Sequence, residues 1–306
     1  MTVVKGVNRL KGKQKKLSKE LRNRKRASLV FLSPSIAGVM LFFVAPFCVV
    51  IYYAFMSRSV GGEFVGIDNF KALFENNAFL MAGENTAILL VSAVPLAVIL
   101  SLGLAILLER ELPMKSVLRT AFLSPLMVPV ASVVLIWQVL FHQHGIINSF
   151  LSGYGIETVD WFHSNWSRFV VLLLYLWKNL GYNMILFTAA LASIPKEQLE
   201  MAELEGAGAF RKFFSIKIHY LSSTTLFVTI LSLISAMKIF REVFLLTGAY
   251  PYETLYLLQH FMNNTFEAMD YQKLSSAAIL LALVMSVVIA VLFVVERRLG
   301  KDAKNE

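Results

Sequence analysis

Several residue types and motifs are scarce or missing in this 306-residue sequence, and each shortage excludes a class of site. Its single cysteine, Cys48, cannot form an internal disulfide, and no Cys/His spacing typical of a zinc site occurs. The sequence also lacks a G-x-x-x-x-G-K-[ST] phosphate loop, a G-x-S-x-G or H-E-x-x-H motif, and paired catalytic carboxylates. We therefore expect no metal site, no catalytic residues and no cofactor bound by this chain.

Charged residues are scarce as well, at 16% of the sequence against about 25% in soluble proteins, whereas hydrophobic residues reach 57%. Six apolar runs are each long enough to cross a hydrocarbon core about 30 Å thick, which takes about 20 helical residues. These runs lie at 29–57, 84–108, 118–141, 168–193, 221–246 and 274–295. None alternates like a barrel strand, and backbone groups in lipid must be satisfied internally. We therefore predict an all-α integral membrane protein with six transmembrane helices.

The uneven distribution of lysine and arginine predicts the orientation of the chain. Most of the 29 basic residues fall in four segments, at 1–28, 109–119, 194–220 and 297–306. Because basic loops stay in the cytoplasm, both termini and the 194–220 segment are expected there. We divide the chain into a basic tail (1–28), a transmembrane domain (29–295) and a C-terminal tail (296–306). The basic tail is expected to be disordered and solvated beside anionic lipid, a nucleic-acid-binding arm is the less favoured alternative next to a membrane span, and no cleavable signal peptide is predicted.

The segment 194–220, called the 194–220 loop below, separates two apolar runs yet carries four acids and four bases. Pro195 is suited to open a helix, and three glutamates at steps of three share one face of that helix: Glu197, Glu200 and Glu203. Gly206 and Gly208 permit a break. A second short helix then carries an apolar stripe formed by Phe210, Phe213, Phe214 and Ile218. The pattern indicates a small projection suited to docking into a partner's cleft, with a plain charge-balanced surface loop as the alternative.

The same loop resembles the EAA loop of permease subunits in ATP-binding-cassette importers that depend on a solute-binding protein. The residues that match that motif in register are Ile194, Pro195, Glu200, Ala202, Gly206, Ala207, Phe213 and Ile216. The departures are Met201, Glu205 in place of Asp, His219 and Tyr220. Further segments, at 66–70, 177–182 and 246–248, resemble the carbohydrate-importing branch of maltose and glycerol-phosphate type. The resemblance covers nearly the whole chain.

The resemblance implies a type I importer permease fold with a cytoplasmic coupling helix, in a bacterial cytoplasmic membrane. It implies four kinds of partner: a second homologous permease, two ATP-binding subunits, an extracytoplasmic solute-binding protein and the lipid bilayer. ATP and Mg would be used by the ATP-binding subunits, so this chain itself would not be an enzyme. The residues implied to couple to the ATPase are Glu200, Ala202, Glu203, Glu205, Gly206, Ala207 and Phe213. The implied solute is a short oligosaccharide or a sugar derivative.

Charged and polar residues inside the apolar runs are candidates for the substrate path, because such residues are costly in a membrane. The candidates are Lys178, Asn179, Tyr182, Asn183, Lys238, Arg241 and Glu242. The four-residue spacing of Lys238 and Glu242 predicts that they can pair on one helix face. A structural ion pair and a polar patch for sugar hydroxyls both remain open for this group. For Trp177 and Tyr182, ordinary packing between helices is favoured over sugar binding.

Two further sets of residues are predicted to be structural. Asn85, Ser132 and Gln138 are isolated polar positions, and we expect them to form hydrogen bonds across helices. The histidines at 142, 144 and 163 are expected to lie in an interfacial loop rather than in a metal site.

Two rival functions stay open from the sequence. An importer permease for phosphate, an amino acid or a polyamine would carry the same loop motif. A secondary transporter or membrane enzyme that works alone would be expected to show an intramembrane relay of acids or a catalytic motif, and the apolar runs hold almost no acid apart from Glu242.

Overall fold

The computed structural model describes residues 30–109 and 113–302, with side chains as far as Arg298. The predicted basic tail 1–28 and Arg110 lie outside the described residues. Within these described ranges, six helical segments are long and apolar enough to cross a membrane: Val30–Ala54, Asn77–Glu109, Val130–Gly153, Ser167–Ala192, Ala209–Thr247 and Tyr271–Arg298. The prediction of an all-helical chain with six spans is therefore confirmed. Among the described residues the only β-type pairing is an isolated bridge between Met56 and Phe64.

The helices are numbered in chain order. They are α1 (Val30–Ala54), α2 (Asp68–Phe74), α3 (Asn77–Glu109), α4 (Lys115–Met127), α5 (Val130–Phe141), α6 (Ile146–Gly153), α7 (Ser167–Ala192), α8 (Lys196–Leu204), α9 (Ala209–Lys212), α10 (Ile218–Lys238), α11 (Phe240–Thr247), α12 (Leu258–Glu267) and α13 (Tyr271–Asp302). Two short π-helical turns interrupt the α-helical pattern, at Met40–Val44 inside α1 and at Phe213–Lys217 between α9 and α10. A 3-10 turn at Glu253–Leu255 precedes α12.

The predicted third span, 118–141, is two helices rather than one. Val128 adopts extended backbone, with φ −79° and ψ 126°, because the proline that follows disfavours a helical conformation there. Pro129 then precedes the first residue of α5. Pro125, by contrast, is accommodated inside α4, where the Ser124 hydroxyl donates a 2.9 Å hydrogen bond to the Ala121 carbonyl. A proline lacks the N–H that would normally occupy that carbonyl.

The centre of the bundle is formed by α3 and α7, which pack against each other along most of their length. Their buried faces join α5, α10 and α11 in one apolar cluster that includes Ala93, Trp137, Leu174 and Val243. The chains of α4 and α7 approach especially closely at Gly181. A Cβ atom added there would lie only 1.8 Å from the carbonyl oxygen of Phe122. Only glycine therefore permits this helix contact.

The first and last spans lie at the edge of the bundle. Helix α1 packs mainly on α13, and the most apolar stretch of each contributes no buried residue. Exposed side chains on α1 include Phe31 (85%) and Phe42 (72%). Such a broad apolar surface is typical of contact with lipid or with another membrane subunit rather than with water.

Candidate functional site

Helix α8, within the 194–220 loop, begins and ends as its sequence predicts. Pro195 stands in extended backbone just before the helix, and Gly206 ends it with a left-handed φ of 80°. The amide of Ala207 donates to the Ala202 carbonyl at 2.8 Å, and the amide of Gly206 donates to the Glu203 carbonyl at 2.9 Å. These two bonds form a Schellman cap, which satisfies carbonyls that a helix end otherwise leaves unpaired. The α8 end is therefore a defined bend.

One face of α8 is anchored to the membrane helices. Ile194, just before α8, is buried in an apolar cluster with Leu108, Phe187 and Leu221, and Leu199 packs on the same cluster. Ala202 is also buried, at 8% exposure. This packing connects α8 with the ends of α3, α7 and α10.

Two polar contacts add to this anchor. The hydroxyl of Tyr220 donates a 2.8 Å hydrogen bond to Oε1 of Gln198, and Lys217 forms a 2.5 Å ion pair with Glu109 at the end of α3. Tyr220 is one of the departures from the family motif, and sequence reasoning gave it no role. The contact depends on α8 and α10 lying side by side, which the sequence pattern does not indicate.

The other face of the 194–220 loop is exposed and rich in apolar and acidic groups. Its most exposed large side chains are Met201 (62%), Leu204 (89%), Phe210 (83%) and Phe214 (58%). Glu200 and Glu205 are exposed too, and neither forms an ion pair with any described residue. Large apolar side chains next to unpaired acids are typical of a surface that another protein covers.

The predicted second short helix of the loop needs a correction. Helix α9 runs through the π-helical turn Phe213–Lys217 directly into α10, so the stripe of Phe210, Phe213 and Phe214 lies on the base of the fifth span. Phe213 is half-buried and packs edge-on against Phe214 at 5.1 Å between ring centroids. The backbone is therefore helical without a break from this surface into the fifth span.

Glu203, another predicted coupling residue, is already paired within the chain. Its carboxylate accepts a hydrogen bond from the Lys212 ammonium, which holds the pKa of Glu203 below its usual value. The pair bridges α8 and α9 across the Gly206 bend. Its side-chain exposure is 63% for Glu203 and 18% for Lys212, so solvent screens it.

The second candidate region, called the polar interface below, lies where α7 meets α10 and α11. The Tyr175 hydroxyl donates to the Ser232 carbonyl at 2.8 Å, and Asn183 Nδ2 donates to the Ser232 hydroxyl at 2.9 Å. The Ser235 hydroxyl donates to Oδ1 of Asn179 at 2.5 Å. The amides of Asn179 and Asn183, both predicted for the substrate path, are thus used to join two helices.

Lys178 and Glu242 form an ion pair across the polar interface. The expected pairing of Glu242 with Lys238 is therefore wrong. Glu242 lies on the buried face, at 4% exposure, whereas Lys238 lies on the exposed face. The two faces diverge because the helix tightens at Ile239, whose amide bonds to the Ala236 carbonyl three residues back.

The remaining residues predicted for the substrate path are exposed and are not used in contacts between helices. Tyr182 is 40% exposed, and Lys238 and Arg241 are exposed as well. Within the described residues, no hydrogen bond or ion pair is formed by the side chain of Lys238 or Arg241. Trp177 packs on Trp137 with ring centroids 5.1 Å apart, as expected for a packing residue.

The polar positions predicted as structural divide into two groups. Asn85 is buried, donates to the carbonyls of Glu253 (2.6 Å) and Tyr256 (3.0 Å), and accepts from Arg168 at 2.6 Å. The expectation that Asn85 forms hydrogen bonds between segments is confirmed. Ser132 and Gln138 form no side-chain hydrogen bond with described residues, so for these two the expectation stays a prediction.

The three histidines at 142, 144 and 163 lie in non-helical segments between helices, as the loop prediction has it. His163 contacts Asp160 at 3.1 Å, and among the described residues no group of three or more His, Cys, Asp or Glu side chains could hold a metal ion.

Comparison with known proteins adds a family and a fold. Residues 85–305 match the family described as binding-protein-dependent transport system inner membrane component. The sulfoquinovosyl glycerol transport system permease protein of Agrobacterium fabrum is 29% identical, with 83% of this chain and 85% of that protein covered. The arabinooligosaccharides transport system permease protein of Halalkalibacterium halodurans is 30% identical, with 72% of each chain covered.

A third relative and a solved structure agree with these matches. The sn-glycerol-3-phosphate transport system permease protein of Yersinia enterocolitica is 30% identical, with 82% of this chain and 88% of that protein covered. A chain from the crystal structure of a bacterial transporter that imports the acidic polysaccharide alginate superposes with a TM-score of 0.79 at 21% identity. That match covers 92% of this chain and 99% of the other, and it shows the same fold. The chain is thus a multi-pass membrane protein that belongs to the binding-protein-dependent transport system inner membrane component family.

Proposed function

We propose that this chain is the permease subunit of an ATP-driven importer for a short oligosaccharide or a sugar derivative. The single observation that carries the proposal is the match of residues 85–305 to a transport family defined by its dependence on a binding protein. The relatives named for sulfoquinovosyl glycerol and for arabinooligosaccharides support a carbohydrate as the solute. The relative named for sn-glycerol-3-phosphate favours one alternative, a small phosphorylated polyol.

The working transporter is an assembly in this proposal. A second homologous permease completes the translocation path, two ATP-binding subunits supply the energy, and a solute-binding protein delivers the solute from outside. The ATP and Mg bind to the ATP-binding subunits, and this chain is not an enzyme. The broad exposed apolar surface of α1 supports a further membrane subunit, and the absence of a phosphate loop from the sequence supports ATP binding elsewhere.

Both termini and α8 face the cytoplasm of a bacterial cell in this proposal. The basic composition of 1–28, 194–220 and 297–306 supports this orientation, because lysine and arginine next to spans are retained on the cytoplasmic side. The outer loops then lie on the side where a solute-binding protein would dock.

Helix α8 is proposed to couple the ATPase cycle to the path. Glu200 and Glu205 offer free carboxylates to a base on the ATP-binding subunit, while Ala202 and Phe213 pack inward. Gly206 and Ala207 close the cap that makes α8 a defined unit, and the Glu203–Lys212 pair braces its end. ATP binding would close the two ATP-binding subunits and move α8, so that the path opens outward to accept solute. Hydrolysis would reset it.

The path candidates have different roles in this proposal. Asn179, Asn183, Lys178 and Glu242 hold α7 against the fifth span, since their polar groups are used within the chain. Tyr182, Lys238 and Arg241 are exposed and remain available to a solute. Aromatic rings and charged donors are groups that bind sugar faces and their oxygens.

The test is solute uptake and solute-stimulated ATP hydrolysis by the reconstituted transporter with Glu200→Ala and Gly206→Val. Glu197→Ala is the matched control for the first, because Glu197 is another exposed acid on α8. Gly208→Val is the control for the second. Neither glycine has an atom within 4 Å of an added Cβ, and only Gly206 has the positive φ that valine disfavours.

We expect Glu200→Ala and Gly206→Val to keep the subunits together while uptake and stimulated hydrolysis fall at least tenfold. Both controls should behave as wild type. Equal behaviour of all four variants would refute the coupling role of α8. Uptake by the purified chain alone without ATP would refute the importer reading and favour a secondary transporter. Stimulation by phosphate, amino acids or polyamines, and by no carbohydrate or polyol phosphate, would refute the sugar assignment.

A further inference from the structure

One face of the fifth span is left uncovered by the rest of the chain. Ile234, Lys238, Arg241 and Leu245 follow one another at helical spacings of four, three and four residues. All four are exposed, with Ile234 at 42% and Leu245 at 50%. The backbone of Ile239, at the junction of α10 and α11, stays in the right-handed helical region, so the stripe continues across the junction. This stripe is called the cationic face below.

The cationic face carries two positive charges and no negative one. Neither Lys238 nor Arg241 forms an ion pair with any described residue. The acid closest to them in sequence, Glu242, is buried on the other side of the helix, where Lys178 neutralises it. The two side chains lie three residues apart, so their Cβ atoms are separated by roughly 5–6 Å and both can reach one bound group.

Contact with lipid does not account for the cationic face. Both cations lie within the apolar run 221–246, which forms the C-terminal part of the helical segment Ala209–Thr247. A charged side chain at membrane depth costs several kcal/mol unless it meets water, a counter-charge or a polar cavity. The face therefore borders either the solute path or an acidic surface of another subunit.

Resting on the proposed function, we propose that the solute carries an anionic group and that Lys238 and Arg241 bind it during passage. The class is a carbohydrate or polyol that bears a carboxylate, sulfonate or phosphate. Arginine presents a planar fork of donors that matches two oxygens of such a group, and the lysine ammonium adds a second charge. An anionic solute supplies the counter-charge that no described residue gives to these two cations, whereas a neutral sugar does not.

The experiment uses the complete transporter with its solute-binding protein in proteoliposomes. The anionic probes are sulfoquinovosyl glycerol, sn-glycerol-3-phosphate and an alginate trisaccharide, and the neutral probes are arabinotriose and galactosyl glycerol. Stimulated ATP hydrolysis and uptake are measured for the wild type and for a double variant that carries both Lys238→Gln and Arg241→Gln. Lys273→Gln is the control, because Lys273 is a cation at the outer end of the neighbouring span and already pairs with Asp270 at 2.7 Å.

We expect stimulation by at least one anionic probe and by neither neutral probe. The double variant should raise KM for that probe by about 10- to 100-fold, the usual effect of losing charge-assisted hydrogen bonds. The control should change KM less than twofold. The three anionic probes also distinguish a sulfonate, a phosphate and a carboxylate as the bound group.

Other results would overturn the inference. Stimulation by a neutral probe, or by no anionic probe, contradicts an anionic solute, although neutral sugar uptake would leave the proposed importer function standing. An unchanged KM in the double variant excludes these two side chains as the contact. Loss of the second permease subunit on purification of the double variant would assign the cationic face to a subunit interface instead.

Discussion

The 194–220 loop differs from the polar interface between α7 and the fifth span in whether its polar side chains are bonded within the chain. In the loop, Glu200 and Glu205 are exposed and make no ion pair with described residues, and large apolar side chains surround them. In the polar interface, Asn183 and Glu242 are buried, and each is bonded to the neighbouring helix. Both regions are rich in polar groups, yet only one of them leaves those groups available to a partner.

The difference follows from the solvent around each region. An exposed carboxylate remains hydrated, so leaving it unpaired costs the folded protein little free energy. A polar group within the bilayer has no water to bond, and it is stable only when the protein supplies the partner. Polar residues at membrane depth are therefore evidence of helix contacts first. Those left exposed there, Lys238 and Arg241, stand out as candidates for solute binding.

The largest loss of stability is expected when one partner of the buried ion pair in the polar interface is removed. Lys178→Met leaves the Glu242 carboxylate buried without its counter-charge, and we expect a loss of about 3–5 kcal/mol of stability. The measurement is the thermal midpoint of the purified transporter. The double change to Lys178→Met with Glu242→Leu should recover most of the loss. Lys71→Met, which breaks an exposed pair with Asp68, is the control and should have little effect.

A smaller but still clear loss is expected from Gly181→Ala. The added Cβ would meet the Phe122 carbonyl at 1.8 Å, so α4 and α7 must separate, at a cost of about 1–3 kcal/mol. Yield of assembled transporter and its thermal midpoint test this. Gly103→Ala in α3 is the matched control, since nothing lies within 4 Å of its added Cβ. Equal stability of the two variants would mean that the helices do not approach as described.

A modest effect is expected when one hydrogen bond of the polar interface is removed. Asn183→Ala deletes the donor to the Ser232 hydroxyl, and such bonds within membrane proteins average about 0.6 kcal/mol. A double-mutant cycle with Ser232→Ala isolates the interaction, and a coupling energy of zero would contradict the contact. Thr188→Ala is a suitable control, because its hydroxyl bonds only within its own helix, to the Met184 carbonyl.

The smallest effect is expected in the 194–220 loop, from Glu203→Gln. Solvent screens the Glu203–Lys212 pair, so the thermal midpoint near neutral pH should be unchanged. Because the pair lowers the pKa of Glu203, its contribution is complete above the unfolded value of about 4.3 and is lost as pH falls through the lower, folded value. The amide protection factors of α8, which correct exchange for its intrinsic pH dependence, should fall across that pH range in wild type and stay constant in Glu203→Gln.

Local features were the most predictable part of the loop and of the bundle. Pro195 and Gly206 begin and end α8 because proline and a left-handed glycine impose their backbone angles without help from distant residues. The six spans follow from length and apolarity alone. The run 118–141 was predicted as one span because it is apolar on both sides of Val128, and the proline after Val128, which predicts a kink, in fact divides it into two helices.

Contacts between distant segments were not predictable in the same way. The spacing of Lys238 and Glu242 favoured a pair on one helix, but the tightened turn at Ile239 and the approach of α7 brought Lys178 to Glu242 instead. The bond from Tyr220 to Gln198 also depends on two helices lying side by side.

The sequence by itself determined that this chain spans the membrane six times and that the 194–220 loop breaks at Gly206. These properties depend on apolar length and on backbone preferences, which act over a few residues. Only the tertiary structure decided which polar side chains are used between helices and which stay free, and so separated Asn183 and Glu242 from Lys238 and Arg241. The reason is physical: a polar group in a membrane is satisfied by whatever neighbour the packing brings to it, and packing joins residues far apart in the chain.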